Sequence, residues 1–173
     1  MRPIRAACLG TATALVTLLT CTPIVATAAT DTDSAQAKDG NRVITLIGHL
    51  AQQSRFPVGD KAAQGDRTVF RSILSDKDDK KQVGETNGTC TTTLAEEDGG
   101  AEECVVTYNL PGGQLTVQGM VFGILTDGLP TIPPPSFDNA ITGGTGEFDR
   151  ARGSVHAETI GSGTRRFTID LAN

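Results

Sequence analysis

Hydrophobic and polar positions alternate with a period of two over most of this chain. The clearest stretch is Gln114 to Phe122, where Leu115, Val117, Gly119 and Val121 are interleaved with Thr116, Gln118, Met120 and Phe122, the pattern of a strand with two unlike faces. Arg42 to Gln53 carries Val43, Ile44, Thr45, Leu46 and Ile47, and Asp66 to Ser75 carries Val69, Phe70, Ile73 and Leu74. These are runs of residues that pack well on a pleated surface. Gln82 to Thr93 is rich in threonine, and Glu103 to Leu110 contains Cys-Val-Val-Thr-Tyr. Ser154 to Ile160, Thr164 to Leu171 and a strand ending at Gly143 complete the set. Almost nothing has the 3.6-residue period of a helix.

Turn chemistry closes each run. Pro111-Gly112-Gly113 and Gly161-Ser162-Gly163 are short hairpin links, and Glu96-Glu97-Asp98-Gly99-Gly100 reads as a third. About eight strands in about 130 residues, joined mostly by tight antiparallel turns, mean a barrel or a sandwich. Glycines inside strands, Gly48 and Gly119, favour the barrel, because a strand bending round a small cylinder has little room for a side chain. The sequence thus predicts an all-β, eight-stranded antiparallel β-barrel over residues 42–173. Gly123 to Ser136 contains Pro130, Pro133, Pro134 and Pro135. It is expected to be neither strand nor helix and to run across a barrel end or an oligomer surface.

The N-terminus changes the picture of where the chain works. Arg2 and Arg5 precede an uncharged run rich in Ala, Leu, Val and Thr, with Pro23 ahead of Ala26-Thr27-Ala28. Residues 1–28 read as a secretory signal peptide cleaved near Ala28, and residues 29–41, without apolar periodicity, as a disordered linker. Leu18-Leu19-Thr20-Cys21 is similar to a lipoprotein attachment site, but Thr20 stands where a smaller residue is wanted. The expected localisation is secreted, with no membrane attachment after cleavage.

Loss of the signal leaves 13 basic and 20 acidic residues, a formal charge of −7. The only basic cluster, Lys77 to Lys81, is broken by Asp78 and Asp79, so nucleic acid is excluded as a partner. Cys8 and Cys21 leave with the signal, and Cys90 and Cys104 remain as a pair on either side of the acidic turn. In an exported chain this points to a disulfide across two paired strands, with a zinc site as the alternative. His49 and His156 are the only histidines and neither stands at ligand spacing from a cysteine, so no metal is expected.

Thr142-Gly143-Gly144-Thr145-Gly146, then Phe148 and Ala151-Arg152-Gly153, together with Leu110-Pro111-Gly112-Gly113-Gln114-Leu115-Thr116-Val117-Gln118-Gly119 ahead of it, resemble the signature of dirigent proteins and the allene oxide cyclase-like barrel family. The resemblance covers Arg42 to Asn173. It implies an eight-stranded barrel, often a trimer, whose apolar cavity holds a reactive small molecule in one conformation for isomerisation or cyclisation, with no cofactor. An acidic residue of the first strand, such as the cyclases use, has no counterpart in Gly48-His49-Leu50-Ala51-Gln52. The particular chemistry is therefore not carried over with the barrel. The alternative function is a non-catalytic secreted binding or structural module of the same fold.

Candidate site residues are polar positions inside apolar strands. His49 shares parity with Val43, Thr45 and Ile47 and is a candidate proton acceptor or donor; its plainer role is a solvent-face histidine. Tyr108, the only tyrosine, follows Val106 at the same parity and is a candidate hydrogen-bond donor to a developing oxyanion, or an ordinary strand aromatic. Arg71 and Gln118 are candidate ligand-binding residues. Arg152 is a third, with the alternative of hydrogen-bonding carbonyls freed by the glycine bend. Parity alone leaves open which face of each strand points inward.

Overall fold

A computed structural model describes residues 42–96, 99–126, 129–132 and 135–172. The signal peptide and the linker fall outside the described residues. The barrel lies in the compact unit spanning residues 37–173.

The strands are β1 (Arg42–Phe56), β2 (Arg67–Ser75), β3 (Gln82–Glu96), β4 (Gly99–Leu110), β5 (Gly113–Thr126), β6 (Leu129–Ile132), β7 (Ser136–Gly144), β8 (Arg152–Gly161) and β9 (Thr164–Ala172). Their order in the sheet is β4-β3-β2-β1-β9-β8-β7-β5-β6, and β4 also pairs with β5. That last pairing closes eight antiparallel strands into a barrel, as the alternation predicts. Closure removes the sheet edges that would otherwise present unpaired backbone groups.

The link from Gly123 to Ser136 is corrected by the structure. β5 continues to Thr126, and β6, containing Pro130, pairs back on it with Leu125 opposite Pro130. Proline is tolerated there because, among the described strands, β6 pairs with β5 alone at the end of the strand order.

The core occupies one end of the lumen. Leu74, Leu115, Val117, Val155 and Ile169 are almost fully buried and share the interior with Leu46, Ile141 and Phe148. The floor beneath them is the glycine-rich segment. After β7 the chain makes one 3-10 turn, Gly146–Phe148, which pushes Phe148 into the core before β8 begins.

This corner is locked against the β4–β5 hairpin. Thr145 N–H donates to the Gln114 carbonyl at 2.8 Å, Glu147 N–H to the Gly112 carbonyl at 2.9 Å, and Gln114 N–H to Thr145 Oγ1 at 3.1 Å. Backbone meets backbone so closely that a Cβ on Gly146, whose φ is +62°, would lie 2.1 Å from the Gly112 oxygen. The two motifs that carry the family resemblance therefore bind each other. Arg152 contributes by donating to the Thr142 and Ala151 carbonyls at 3.2 and 2.8 Å, the structural role open to it from sequence.

Candidate functional site

The inward parity is now fixed. On β1 the residues that face the lumen are Ile44, Leu46, Gly48 and Leu50. A register shift between Leu50 and Gln52 then turns Gln53 inward, and Arg55, at the same parity, is near enough for its charge to act on Glu102. Thr68, Phe70 and Ser72 of β2 and Cys90 of β3 continue the wall. It is completed by Glu102, Cys104 and Val106 of β4, Val121 of β5, Phe137 and Asn139 of β7, and Arg165 and Phe167 of β9.

Above the packed core these side chains enclose a cavity of about 490 Å³ that reaches to the β8–β9 turn. That volume suits a small organic molecule. The in-strand glycines make room for its large lining groups. A Cβ on Gly48 would come within 2.5 Å of the Phe167 ring, and one on Gly119 within 2.3 Å of Asn139 Oδ1.

Most of the wall is apolar, and among its polar side chains Glu102, Arg165 and Asn139 stand out. Glu102 is only 5% exposed, and its Oε1 has no hydrogen-bond partner among the described residues. Burial pushes its carboxyl above the ordinary glutamate range, and the positive charges of Arg165 and Arg55 pull it back by less. Arg165 is itself pushed down by burial, with Tyr108 and Glu102 opposing the shift. Its guanidinium sits 5.0 Å from the Phe137 ring centroid, a cation–π contact that fixes its position. Asn139, 5% exposed, also has a partnerless Oδ1.

Arg55 is held from behind. Asp66, 1% exposed, accepts from Arg55 Nη2, from Val58 N–H at 2.8 Å and from Ala63 N–H at 3.1 Å. The Val58 bond is the largest cause of a carboxyl pKa below the usual aspartate value, with burial opposing it and the Arg55 and Ala63 bonds adding to it. The ionised Asp66 thus anchors the β1–β2 loop at the mouth end.

The disulfide is formed. Cys90 and Cys104 are direct cross-strand partners with Cα atoms 4.0 Å apart, and their bond forms part of the cavity wall. A Glu102 carboxylate oxygen and the two sulfurs all lie within 4.8 Å of one another.

The residues singled out from sequence are distributed differently. His49, at the same parity as Ile47, is on the outer face, where Nε2 meets the Asp79 carboxylate at 2.9 Å and Nδ1 lies 3.3 Å from Thr164 Oγ1. Arg71 is also outside, with Nε and Nη2 donating to Glu85 Oε2 at 2.8 and 2.6 Å. Gln118 donates to Glu103 on the outer face of β4 and β5. None of these three lines the cavity.

Tyr108 faces inward but sits below the cavity, fully buried and edge-on to Phe167 at 5.4 Å, and burial drives its phenol pKa strongly upward. It supports the floor through the ring that lines the cavity.

Glu102, Asn139 and Arg165 were not among the sequence candidates, though a signal existed. Arg165 keeps the parity of Phe167, Ile169 and Leu171; Asn139 that of Phe137 and Ile141; Glu102 that of Cys104, Val106 and Leu110. Glu102 falls between the hairpin turn read over Glu96 to Gly100 and the strand read from Glu103, and so belongs to neither.

No protein-family model matches the sequence, and a search among curated proteins finds no match. Solved structures do match. One described as a pyocyanin demethylase has 26% identity and a TM-score of 0.63, covering 75% of this chain and 99% of its own. A pterocarpan synthase dirigent protein matches at 20% identity and a TM-score of 0.53, over 76% of this chain and 86% of its own. An exo-specific intermolecular Diels-Alderase matches at 11% identity and a TM-score of 0.57, over 76% and 97%. The chain therefore has the closed eight-stranded barrel fold that dirigent proteins and Diels-Alderase cyclases share.

Proposed function

We propose that this chain is an exported barrel that binds a hydrophobic small molecule in its lumen and guides its isomerisation or cyclisation without a cofactor, with Glu102 as the acid–base group. The observation that carries the reading is the buried Glu102 carboxyl, its Oε1 unpartnered in a cavity of about 490 Å³. A carboxyl raised above its usual range holds its proton nearer to neutral pH, where proton transfer is most effective. Leaving a buried polar atom unpaired costs stability, so the group is explained by a partner that arrives with the ligand.

In the proposed step Glu102 gives its proton to an electron-rich atom of a conjugated substrate. A double bond shifts or a ring closes, and the carboxylate takes back a proton released from carbon. The glutamate ends as it began, nothing is oxidised or reduced, and the product is an isomer of the substrate. The apolar walls, Phe70, Phe167 and Val121 among them, contribute by holding one conformation. The solved neighbours are consistent with this class, since two are described as a pterocarpan synthase dirigent protein and a Diels-Alderase. Export rests on the disulfide. Among the described residues no helix is long and apolar enough to cross a membrane.

The test is native mass spectrometry of wild type and Glu102→Gln purified from the source's own medium, with chromatography of any released molecule. Catalysis predicts molecules of equal mass but different structure on the two proteins, product on wild type and unreacted isomer on the variant. The same molecule on both identifies a carrier. Empty barrels that also fail to bind a neutral apolar dye overturn the reading.

A further inference from the structure

Arg165 differs from Arg55, the other arginine whose charge acts on Glu102, in having no ion pair. Arg55 is paired with Asp66, and outside the barrel Arg71 is paired with Glu85 and Arg166 with Glu158 at 2.8 Å. The side chain of Arg165 has no hydrogen bond or ion pair among the described residues; it has its ring contact with Phe137 and the longer-range charge of Glu102. A guanidinium offers five N–H donors in a planar fork that matches an oxyanion. Here the fork is in the wall of the cavity beside Glu102 and Asn139, whose free oxygens are acceptors.

Placing a cation in a partly apolar cavity without a directly bonded counter-charge is unfavourable. The nearest acid, Glu102, does not form an ion pair with it, and burial disfavours the charged form of that acid. A bonded negative partner for the fork is therefore best supplied by the occupant.

We propose that Arg165 is the anion receptor of the lumen and that the occupant is an amphipathic monoanion. Its carboxylate-like end sits on the Arg165 fork, and its apolar body, about one or two rings in size, lies against Phe70, Phe167 and Val121. This rests on the lumen being a ligand site, as proposed above, and deepens that reading by naming the class of molecule. A donor on the ligand, a hydroxyl or amide N–H, would satisfy Asn139 Oδ1.

The experiment compares two fluorescent probes that differ only in a sulfonate: 1-anilinonaphthalene-8-sulfonate and the uncharged N-phenyl-1-naphthylamine. Charge-assisted bonds to the fork predict that wild type binds the sulfonate about tenfold or more tightly than the neutral probe, each displacing the other. Arg165→Met, which keeps the stem over Phe137, should abolish the preference while neutral-probe binding remains within about twofold. A second arm uses wild type alone and so does not depend on the variant folding. Decanoate should displace N-phenyl-1-naphthylamine at concentrations about tenfold lower than decanol does.

Equal affinities for the two probes, an Arg165→Met effect the same on both, or equal displacement by acid and alcohol would overturn the anion receptor and leave the cavity reading standing. Failure of both probes to bind would overturn the two together.

Discussion

Replacing Glu102 by methionine should make the folded protein more stable while removing the proposed isomerase or cyclase activity. The side chain is 5% exposed, and one of its oxygens has no partner. A buried unsatisfied polar atom costs about 1–3 kcal/mol, and an apolar side chain of similar length does not incur that cost. The opposing effect is loss of the Coulombic attraction between Glu102 and Arg165 and Arg55. Desolvation is the larger of the two, because the net shift of the carboxyl is upward. Stabilisation of about 1–3 kcal/mol is therefore expected at pH 8, equivalent to a Tm rise of about 3–6 °C per kcal/mol in a domain of this size.

The pH dependence gives the sharper test. A carboxyl whose folded pKa lies above its unfolded value binds more protons in the folded state, so its contribution to stability falls as pH rises from the ordinary value of 4.5 through the folded pKa. Glu102→Gln, which keeps the shape and removes the charge, should match wild type below about pH 4 and exceed it increasingly toward pH 8. The groups that bear on this titration are Arg165 and Arg55, with Asp66 behind Arg55 and Tyr108 near Arg165. Urea denaturation of the three proteins at pH 4, 6 and 8 reads it out. A methionine variant less stable than wild type at pH 8, or a glutamine variant whose difference does not change with pH, would refute the reasoning.

Other expectations concern the scaffold. Gly146→Ala puts a Cβ 2.1 Å from the Gly112 oxygen at a φ of +62°. It should cost about 2–4 kcal/mol by opening the corner, seen as a lower urea midpoint. Asp66→Ala strands the Arg55 guanidinium and two backbone donors, a loss of about 3–5 kcal/mol. Since the folded pKa of Asp66 is lowered, the stabilisation it gives is present above its unfolded value of 3.8 and is lost as pH falls below that. His49→Ala removes a surface pair whose side chains are 45% and 44% exposed. It should change stability by no more than about 1 kcal/mol and leave binding of N-phenyl-1-naphthylamine unchanged.

The barrel was legible in the sequence because its signals are local. Alternation marks each strand, Pro111-Gly112-Gly113 and Gly161-Ser162-Gly163 mark hairpins, and the paired cysteines meet across β3 and β4. The site was less legible because a period of two says that a strand has two faces without saying which is inside. His49 shares its parity with Val43, and Gln118 with Met120, and both of these apolar residues are exposed on the outer surface of the barrel.

The register shift between Leu50 and Gln52 hides Arg55 in the same way, since it switches parity within a single strand. Arg165 and Glu102 stand next to Arg166 and Glu103, which point outward, so each looks like half of a solvated pair. A charge entering a lumen is set by long-range closure, which no short window of sequence contains. The proline-rich link was misread for a related reason: its pairing depends on β5 extending beyond the barrel to give Pro130 an edge to join.

The account turns on one carboxyl facing a ligand cavity. A 13C NMR titration of the glutamate side chains, with Glu102 assigned by Glu102→Gln, measures it directly with and without N-phenyl-1-naphthylamine. The prediction is a midpoint above the ordinary glutamate value of 4.5 in the empty barrel, rising further when the neutral probe displaces water from the lumen. A midpoint at or below the ordinary value, or one that ignores a bound probe, would contradict it.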